Sequence, residues 1–533
     1  MRRIAIAFAL LLSVPLGAAM REPIAVDGGS IAGIPGWGWG VRAYLGVPFA
    51  APPVGNLRWK EPQPVVPWQG VRMADRFGNS CMQRAYSANR GSWNGADDGR
   101  TRALIRLSED CLYLNVWTSA TSVNDKRPVM LWIYGGGFTG GSGGMAWYDG
   151  ENLAAKGPVI VTINYRLGSL GFFAHPALAK EAGHPGSGNY GMMDAIAALQ
   201  WVKRNIAAFG GDPSKVTVAG ESAGAIMVGA LVGSPQAKGL FTRAIAESGG
   251  WMGLTMARMR TSADAEAGGA KAVEALGVKT IAELRAKPMD QLTGLQSAGL
   301  VVDGYVIPED VSLTFASGKQ NAVDVLTGSN KDEANFGICG PGAGVAGRGG
   351  AGMTAATFKS NAERKFGEMT DQYLRLYPAA TDADAQRAAH EACADEITWN
   401  MRQWAAAEAA KGKKAYTYLF SHVQTVNGQP SPQGATHTAE ISFAWNNPKG
   451  QATQTWNDVD VKLADQMSSY WVNFIAKGDP NGPGLPHWPE FKSLSKDRVM
   501  VFADTPQVEP AAPAPKLAFY AAAFQHLMKG ATN

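Results

Sequence analysis

Ser222 has the surroundings expected of a nucleophile. It lies in Gly220–Gly224, which reads Gly-Glu-Ser-Ala-Gly and matches the Gly-x-Ser-x-Gly pattern. A serine hydroxyl attacks a carbonyl carbon once a neighbouring base accepts its proton, and a covalent intermediate forms. The pattern alone is weak, because the chain holds 64 Gly among 533 residues and a second match, Gly140–Gly144, surrounds Ser142. The elements on either side must therefore decide between the two serines.

These elements favour Ser222. The apolar run Val216–Ala219 predicts a strand before it, and the small residues from Gly224 onward predict a helix after it. A serine on such a sharp turn is exposed, and the helix N-terminus stabilises developing negative charge. Flanking glycines are needed because side chains there would collide across the turn. Ser142 lies in a glycine-rich loop without a following helical pattern, so we predict Ser222 as the nucleophile.

Three consecutive glycines predict where that negative charge is bound. They follow the predicted strand Val129–Tyr134 directly. Without side chains, their backbone N–H groups can approach a ligand closely. Hydrolases with a serine on this kind of turn place oxyanion donors here, usually after a His, for which this chain has Tyr134. We predict the N–H groups of Gly136, Gly137 and Ala223 as the donors.

The general base is sought among the histidines. In hydrolases of this type the chain order is nucleophile, acid, base, which excludes His175 and His184 because both precede Ser222. The histidines that remain are His390, His422, His437, His487 and His526. His437 is favoured because it lies in a polar loop after the strand-like run Tyr416–Phe420.

The acid must lie between the nucleophile and the base. The strand-like run Val323–Thr327 ends in Gly-Ser-Asn-Lys-Asp-Glu. Catalytic groups cluster where parallel strands end. Asp332 and Glu333 both qualify by position, and their spacing does not choose between them.

The elements that position these residues alternate along the chain. Short β-branched runs such as Val159–Ile163 predict buried strands, and Met192–Ala208 has a helical period. This alternation predicts an α/β fold with a large, mostly parallel, twisted sheet and helices on both faces. Residues 354–411 read as helical, and the glycine-rich segment 340–352 reads as a surface loop inserted into one domain spanning residues 20–533.

The N-terminus and the composition predict an exported protein. Arg2 and Arg3, the apolar run Ile4–Leu16 and three small residues predict a signal peptide over residues 1–19. This run is shorter than the ~20 residues that span a bilayer as a helix. No later run in the sequence is both apolar and long enough to span a bilayer, so we expect no stable membrane anchor. The predicted signal peptide indicates a periplasmic or extracellular location. The net charge of +4 without Lys/Arg clusters excludes a nucleic-acid partner.

Four cysteines fit the same compartment. They are Cys81, Cys111, Cys339 and Cys393. In an exported chain an even number favours disulfides over metal ligation, and no pair has the spacing of a zinc knuckle. Three connectivities are possible, of which Cys81 with Cys111 and Cys339 with Cys393 is the most local.

Several longer motifs follow one another in a fixed order. They are Glu109–Asn115, Tyr134–Phe138, Asn164–Gly168, Phe209–Pro213, Gly220–Gly224, Gly478–Asn481 and Trp488–Pro489. Together they resemble the type-B carboxylesterase and cholinesterase family of α/β-hydrolases over roughly residues 23–525. The resemblance implies an α/β-hydrolase fold, hydrolysis of small carboxylic esters, and neither a cofactor nor a metal.

The resemblance also implies site residues. The family's Asn-Lys-Asp-Glu segment uses its last residue, which implies Glu333 as the acid. A loop with Gly three residues before the base and Glu three after it implies His437. Glu221 is implied to line a substrate gorge, and Phe336 matches an aromatic gorge position. By its position just after Gly250, Trp251 is a further gorge candidate, with a place in the core as the alternative.

Structural links are implied in the same way. The family pattern implies a disulfide between Cys81 and Cys111, the ion pairs Arg58 with Glu109 and Arg166 with Asp194, and a hydroxyl behind the acid at Ser248. The pair Cys339 and Cys393 has no family counterpart and stays a prediction from the cysteine count. Thr101 stands where cholinesterases have a Trp that stacks on choline, which argues against choline esters.

We therefore predict a secreted serine carboxylesterase. A lactonase, an amidase or a polyester hydrolase of the same fold is the alternative, because these enzymes share acyl-transfer chemistry. A catalytically silent binding or adhesion relative is a further alternative. The presence of Ser222, Glu333 and His437 argues against it.

Overall fold

The computed structural model describes most of the chain. The described ranges are 22–83, 106–249, 259–333, 353–448, 455–510 and 514–529, without Trp37, Trp39, Ala298, Asn427 and Asp497. The predicted signal peptide, the predicted loop at 340–352, Thr101, Trp251, Phe336 and Cys339 lie outside the described residues.

The strands are numbered in chain order. They are β1 (Ile24–Val26), β2 (Gly29–Ala32), β3 (Ile34–Pro35), β4 (Arg42–Pro48), β5 (Val71–Met73), β6 (Ser80–Cys81), β7 (Leu107–Ser108), β8 (Tyr113–Thr118), β9 (Arg127–Ile133), β10 (Val159–Ile163), β11 (Gly211–Glu221), β12 (Arg243–Glu247), β13 (Arg260–Thr261), β14 (Val301–Val302), β15 (Asp324–Asn330), β16 (Ala415–Phe420), β17 (Thr425–Val426), β18 (Gln429–Pro430), β19 (Arg498–Phe502) and β20 (Pro506–Pro510).

The α-helices are numbered likewise. They are α1 (Glu151–Ala155), α2 (Gly168–Phe172), α3 (Pro176–Ala182), α4 (Tyr190–Asn205), α5 (Ala223–Gly233), α6 (Ser262–Ala275), α7 (Ile281–Arg285), α8 (Met289–Leu292), α9 (Val311–Ala316), α10 (Ala355–Phe366), α11 (Thr370–Leu376), α12 (Asp382–Ala409), α13 (Ile441–Ala444), α14 (Asp458–Lys477) and α15 (Ala514–Lys529).

One large sheet organises the described part of the chain. Its 11 strands follow the order β20-β19-β16-β15-β12-β11-β9-β10-β8-β4-β3. Every neighbouring pair from β19 to β10 is parallel, and the pairs at both margins are antiparallel. The predicted parallel sheet is therefore found at the centre, and the antiparallel margins make the sheet mixed. Polar groups at the carboxyl ends of the central strands meet at one edge.

The predicted strands and helices occur with shifted ends. Strand β10 has the predicted bounds, whereas β11 begins five residues before the predicted Val216. Helix α4 ends at Asn205 rather than Ala208, because residues 206–209 wind into a 3₁₀ turn that Gly210 closes with a φ of 75°. Sequence periodicity fixes the middle of an element better than its ends.

Helix α5 is apolar on every side. All residues from Ala223 to Val232 are buried, as expected of a helix inside a large core. One side rests on β11 and β12. On the other side, a Cβ added to Gly229 would lie 3.6 Å from the Trp404 ring of α12. The helix after Ser222 is thus enclosed by the core and cannot shift independently of the sheet.

Several predicted links are present. Cys81 and Cys111 form a disulfide. The predicted ion pairs are Arg58 with Glu109 at 2.5 Å and Arg166 with Asp194 at 2.7 Å. Cys393 is also disulfide-bonded, and its predicted partner lies outside the described ranges. Within those ranges, no helix has both the length and the apolar character needed to cross a membrane.

Candidate active site

Ser222 lies on a sharp turn between β11 and α5. Its φ of 55° and ψ of −124° form a backbone conformation that residues other than glycine rarely adopt. The Ser222 N–H donates to Glu247 O of the neighbouring strand at 2.9 Å, which fixes the turn to the sheet. Ser222 is partly exposed, whereas Glu221 and Ala223 on either side are buried. The turn therefore lifts this hydroxyl out of the core.

The glycines around Ser222 are required by close backbone contacts. A Cβ added to Gly224 would lie 2.0 Å from Ile133 O, and one added to Gly220 would lie 2.7 Å from the same oxygen. Both distances are too short for any side chain, as the sequence pattern predicts. The second matching serine, Ser142, is buried, and its hydroxyl donates to Asn164 Oδ1 at 3.2 Å. Ser142 therefore has a structural contact and no access to a substrate.

The predicted oxyanion loop lies beside Ser222. A Cβ added to Gly135 would lie 2.9 Å from Ser222 Cβ. Gly136 and Gly137 have φ values of 110° and 61°. The N–H groups of Gly136, Gly137 and Ala223 donate to no other residue in the part of the chain that the structure describes. Unpaired N–H groups next to an accessible hydroxyl can bind an anionic oxygen.

His437 contacts the Glu333 carboxylate. The distance from His437 Nδ1 to Glu333 Oε2 is 2.6 Å, and both side chains are buried. Glu333 Oε1 accepts from the Asn330 N–H at 2.7 Å, so both oxygens of the carboxylate have partners. Asp332, the alternative by position, instead accepts from the Ala435 N–H at 2.8 Å. The structure thus brings Glu333 and not Asp332 to the imidazole.

Glu221 lies on the other side of the same ring. Its Oε1 is 3.1 Å from His437 Nε2, and each side chain is 2% exposed. Burial raises the pKa of Glu221 to about 8, with Glu440 and Glu333 adding to the rise and His437 opposing it. Burial alone would lower the pKa of His437, but the carboxylates of Glu221 and Glu333 raise it to about 10. The imidazolium form is therefore stabilised inside the site.

Two further buried glutamates complete this acidic surrounding. Glu440 accepts from the Ser248 hydroxyl at 3.3 Å and from the Asn330 amide. Burial raises its pKa to about 7, and Glu333 adds to the rise. Glu247 accepts from Trp471 Nε1 at 2.7 Å, and burial raises its pKa well above its usual range. The Ser248 hydroxyl thus contacts Glu440 instead of the expected Glu333.

Glu221→Gln is expected to move the acidic limb of the kcat/KM profile to lower pH by about one unit. A general base must be neutral, and the Glu221 carboxylate favours the protonated imidazole of His437. Removing that charge lowers the pKa of His437, so the neutral form persists to lower pH. The measurement is a pH series of kcat/KM with an ester that does not titrate. Glu151→Gln, a buried acid at the start of α1, is the control, and an unmoved or raised limb in Glu221→Gln would contradict the prediction.

Several contributors had no clear signal in the sequence. Asn330 opens the Asn-Lys-Asp-Glu segment, yet nothing in the pattern indicates that its N–H and its amide bind two different glutamates. In the sequence, Glu440 only helps to identify the His437 loop, because it lies three residues after His437. The sequence predicts no contact of its side chain. Of the predicted gorge residues, only Glu221 lies within the described ranges. In those ranges, no cluster of three or more His, Cys, Asp or Glu side chains is arranged to hold a metal ion.

Comparison with known proteins is consistent with this geometry. The sequence model of the carboxylesterase family matches residues 23–520. Fumonisin B1 esterase of Sphingopyxis macrogoltabida is 36% identical over 528 residues, covering 93% of this chain and 90% of that protein. The medium-chain fatty acyl-CoA hydrolase precursor of Anas platyrhynchos is 35% identical over 481 residues, covering 85% of this chain and 83% of that protein.

A solved structure supports the same relationship. PNB esterase superimposes with a TM-score of 0.78 at 28% identity, covering 93% of this chain and 98% of that one. The chain therefore belongs to the carboxylesterase family and is a carboxylic ester hydrolase with the α/β-hydrolase fold.

Proposed function

We propose that this hydrolase cleaves carboxylic esters with Ser222 as nucleophile, His437 as general base and Glu333 as the acid that orients the base. The observation that carries the proposal is the 2.6 Å contact between His437 Nδ1 and Glu333 Oε2. With its proton on Nδ1, the imidazole presents the lone pair of Nε2 as the base. Glu221, the neighbour of Ser222 in the chain, lies 3.1 Å from that Nε2.

The first half-reaction forms an acyl-enzyme. His437 removes the proton of Ser222 as its oxygen attacks the ester carbonyl, and the carbonyl oxygen becomes an anion. The N–H groups of Gly136, Gly137 and Ala223 bind that anion. Removing one such donor typically lowers turnover by about 10²–10³-fold. The imidazolium then protonates the departing alcohol oxygen, and the acyl group remains on Ser222.

The second half-reaction releases the acid. A water molecule takes the place of the alcohol, His437 accepts its proton, and a second tetrahedral anion forms at the same N–H groups. Collapse of this anion releases the carboxylic acid and returns the proton to Ser222. Glu333 stabilises the imidazolium in both halves without being protonated. Burial of Glu333 strengthens this interaction, because few solvent molecules screen it.

We also propose that the protein is exported, with residues 1–19 as its signal peptide and residues 20–533 as one hydrolase domain. The bridge between Cys81 and Cys111 supports export, because disulfides persist in oxidising compartments. The family match over residues 23–520 supports a single domain.

The substrate is proposed to be a small, uncharged carboxylic ester. Besides Glu333, the carboxyl groups of Glu221 and Glu440 raise the pKa of His437, and in their ionised forms they disfavour a carboxylate next to the scissile bond. The similarity to a fumonisin B1 esterase and a fatty acyl-CoA hydrolase adds fumonisin B1 and a fatty acyl-CoA to the substrates worth testing. The alternatives are a lactonase, an amidase and a polyester hydrolase, because the same residues serve all of them.

Labelling with a fluorophosphonate tests the nucleophile, and a substrate panel tests the reaction class. We expect one adduct per chain on the peptide that contains Ser222, located by mass spectrometry. We also expect kcat/KM for short-chain nitrophenyl esters to exceed that for matched anilides and lactones. Fumonisin B1, an acyl-CoA and a polyester film complete the panel. A folded protein that takes up no label would favour the silent binding relative.

A further inference from the structure

Gln83 forms an unusual contact with the glycine loop beside Ser222. Its Nε2 donates to Gly141 O at 3.0 Å, and its Oε1 accepts from the Gly141 N–H at 3.0 Å. The same Nε2 also donates to Cys81 O at 3.1 Å. Gln83 is 5% exposed. One buried amide therefore binds both backbone groups of a single glycine and ties that glycine to the chain at Cys81.

The glycine loop, defined as residues 134–144, is fixed at both ends by other groups. At its start, the Tyr134 ring stacks on Tyr165 with centroids 4.5 Å apart. At its end, the Gly143 N–H donates to Asn164 Oδ1 at 2.8 Å, and Gly143 O accepts from Thr162 Oγ1 at 2.6 Å. These contacts hold the two ends of the loop without Gln83.

The middle of the glycine loop is a tight turn between Gly136 and Gly140. The N–H groups of Thr139 and Gly140 both donate to Gly136 O, at 3.1 and 3.2 Å. A Cβ added to Gly136 would lie only 2.1 Å from Gly140 O. The backbones at these two positions are thus in direct contact. A shift of Gly140 therefore displaces Gly136 as well.

Gly141 follows this turn and determines where Gly140 lies. On one side it packs on the Tyr134 ring, since a Cβ at Gly141 would lie 2.4 Å from that ring. On the other side it is held by Gln83. Glycines contribute no side chains to pack, so backbone hydrogen bonds must fix such a loop. The part of the chain that carries Gln83 is anchored in turn by the disulfide of Cys81 with Cys111.

We propose that Gln83 is a positioning residue that holds the Gly136 and Gly137 N–H groups where the reaction anion forms. This inference rests on the oxyanion role proposed above for these N–H groups. Displacement of reacting groups by about 1 Å can cost 10²-fold in rate. Losing the Gln83 contacts would permit a displacement of that kind without unfolding the loop, because its two ends keep their own contacts.

Gln83→Met and Gln83→Glu test the inference. Met keeps the length of the side chain and removes all three hydrogen bonds. Glu can still accept from the Gly141 N–H but cannot donate to Gly141 O or Cys81 O. We expect both variants to lower kcat by about 10–100-fold and to change KM by less than about threefold. Gln63→Met is the matched control, since Gln63 is exposed and donates only to Glu61 O among the described residues.

A pair of ketone inhibitors separates positioning from general stability. The Ser222 oxygen adds to the carbonyl carbon of a trifluoromethyl ketone, and the resulting oxyanion lies at the proposed N–H donors. The matching methyl ketone binds mainly without this addition, as an analogue of the bound substrate. We expect the Gln83 substitutions to raise the inhibition constant of the trifluoromethyl ketone by the same factor by which they lower kcat. The inhibition constant of the methyl ketone should change by less than about twofold. A role in stability alone would lower Tm and leave the ratio of the two inhibition constants unchanged.

The outcomes also distinguish this inference from the proposed function. If the trifluoromethyl ketone does not inhibit the unaltered protein, the oxyanion proposal itself fails. If it inhibits the unaltered protein and the Gln83 variants equally, the oxyanion proposal stands and the role of Gln83 is overturned. A Gln83 variant that loses kcat while retaining the ketone ratio likewise overturns it.

Discussion

Ser222→Ala is expected to lower kcat for a short-chain nitrophenyl ester by about 10⁵–10⁶-fold. The change removes the atom that would carry the acyl group, and no other hydroxyl occupies the turn at the end of β11. The fold should persist, because the turn is fixed by backbone groups such as the Ser222 N–H, which Ala retains. The measurement is steady-state hydrolysis by protein purified without contaminating esterase, together with a thermal melt.

Ser142→Ala is the matched control for that experiment. It alters the serine of the second Gly-x-Ser-x-Gly match and removes two buried hydrogen bonds, one donated to Asn164 Oδ1 and one accepted from the Gly144 N–H. We expect the free energy of unfolding to fall by about 1–3 kcal/mol and kcat to stay within about threefold of the value for the unaltered protein. If Ser142→Ala abolishes turnover and Ser222→Ala does not, the assignment of the nucleophile is wrong.

Glu333→Gln should produce the second large effect, a fall in kcat of about 10⁴-fold. A glutamine amide at this position either donates towards His437 Nδ1 and imposes the wrong tautomer or leaves the imidazolium without its negative partner. The carboxylate also accepts from the Asn330 N–H, and the amide oxygen can still do so, which should preserve the local backbone. The measurement is kcat on the same nitrophenyl ester, with fluorophosphonate labelling rates as an independent readout of the reactivity of Ser222.

Asp332→Asn distinguishes the two acids that the sequence leaves open. Asp332 accepts from the Ala435 N–H at 2.8 Å, and an asparagine oxygen can keep that bond in weaker form. We expect a loss of about 1–2 kcal/mol in the free energy of unfolding and a kcat within about tenfold of the original. The opposite ranking, with Asp332→Asn the more damaging change, would make Asp332 the acid and leave Glu333 a structural group.

The sequence predicts the surroundings of Ser222 well because the determinants are local. A β-branched run, a serine between glycines and a run of small residues fall within a single strand, turn and helix. Gly220 and Gly224 are glycines because the backbone at both positions lies close to Ile133 O and leaves no room for a side chain. The parallel centre of the sheet is likewise predictable. Buried strands appear in the sequence as short apolar runs, whereas amphipathic helices appear as apolar residues with a helical period.

Contacts between distant parts of the chain leave no such trace. Asp332 and Glu333 are adjacent, and only the path of the backbone after β15 decides which carboxylate faces His437. The position of Glu221 on the far side of the imidazole depends on a loop that begins more than 200 residues later. Gln83 lies two residues after Cys81 without any motif, and its partner Gly141 is 58 residues away. These interactions follow from tertiary packing rather than from local pattern.

The antiparallel margins of the large sheet have a consequence for how this enzyme can diversify. All residues proposed for chemistry come from the ends of β9, β11 and β15 and from the loop after β16, which belong to the parallel centre. The antiparallel strands β3, β4 and β20 contribute none of them. Evolution and laboratory libraries can therefore alter the outer strands, and attach new segments there, while the chemistry is inherited unchanged. New specificities should arise in the loops above the centre, and new partners along the margins.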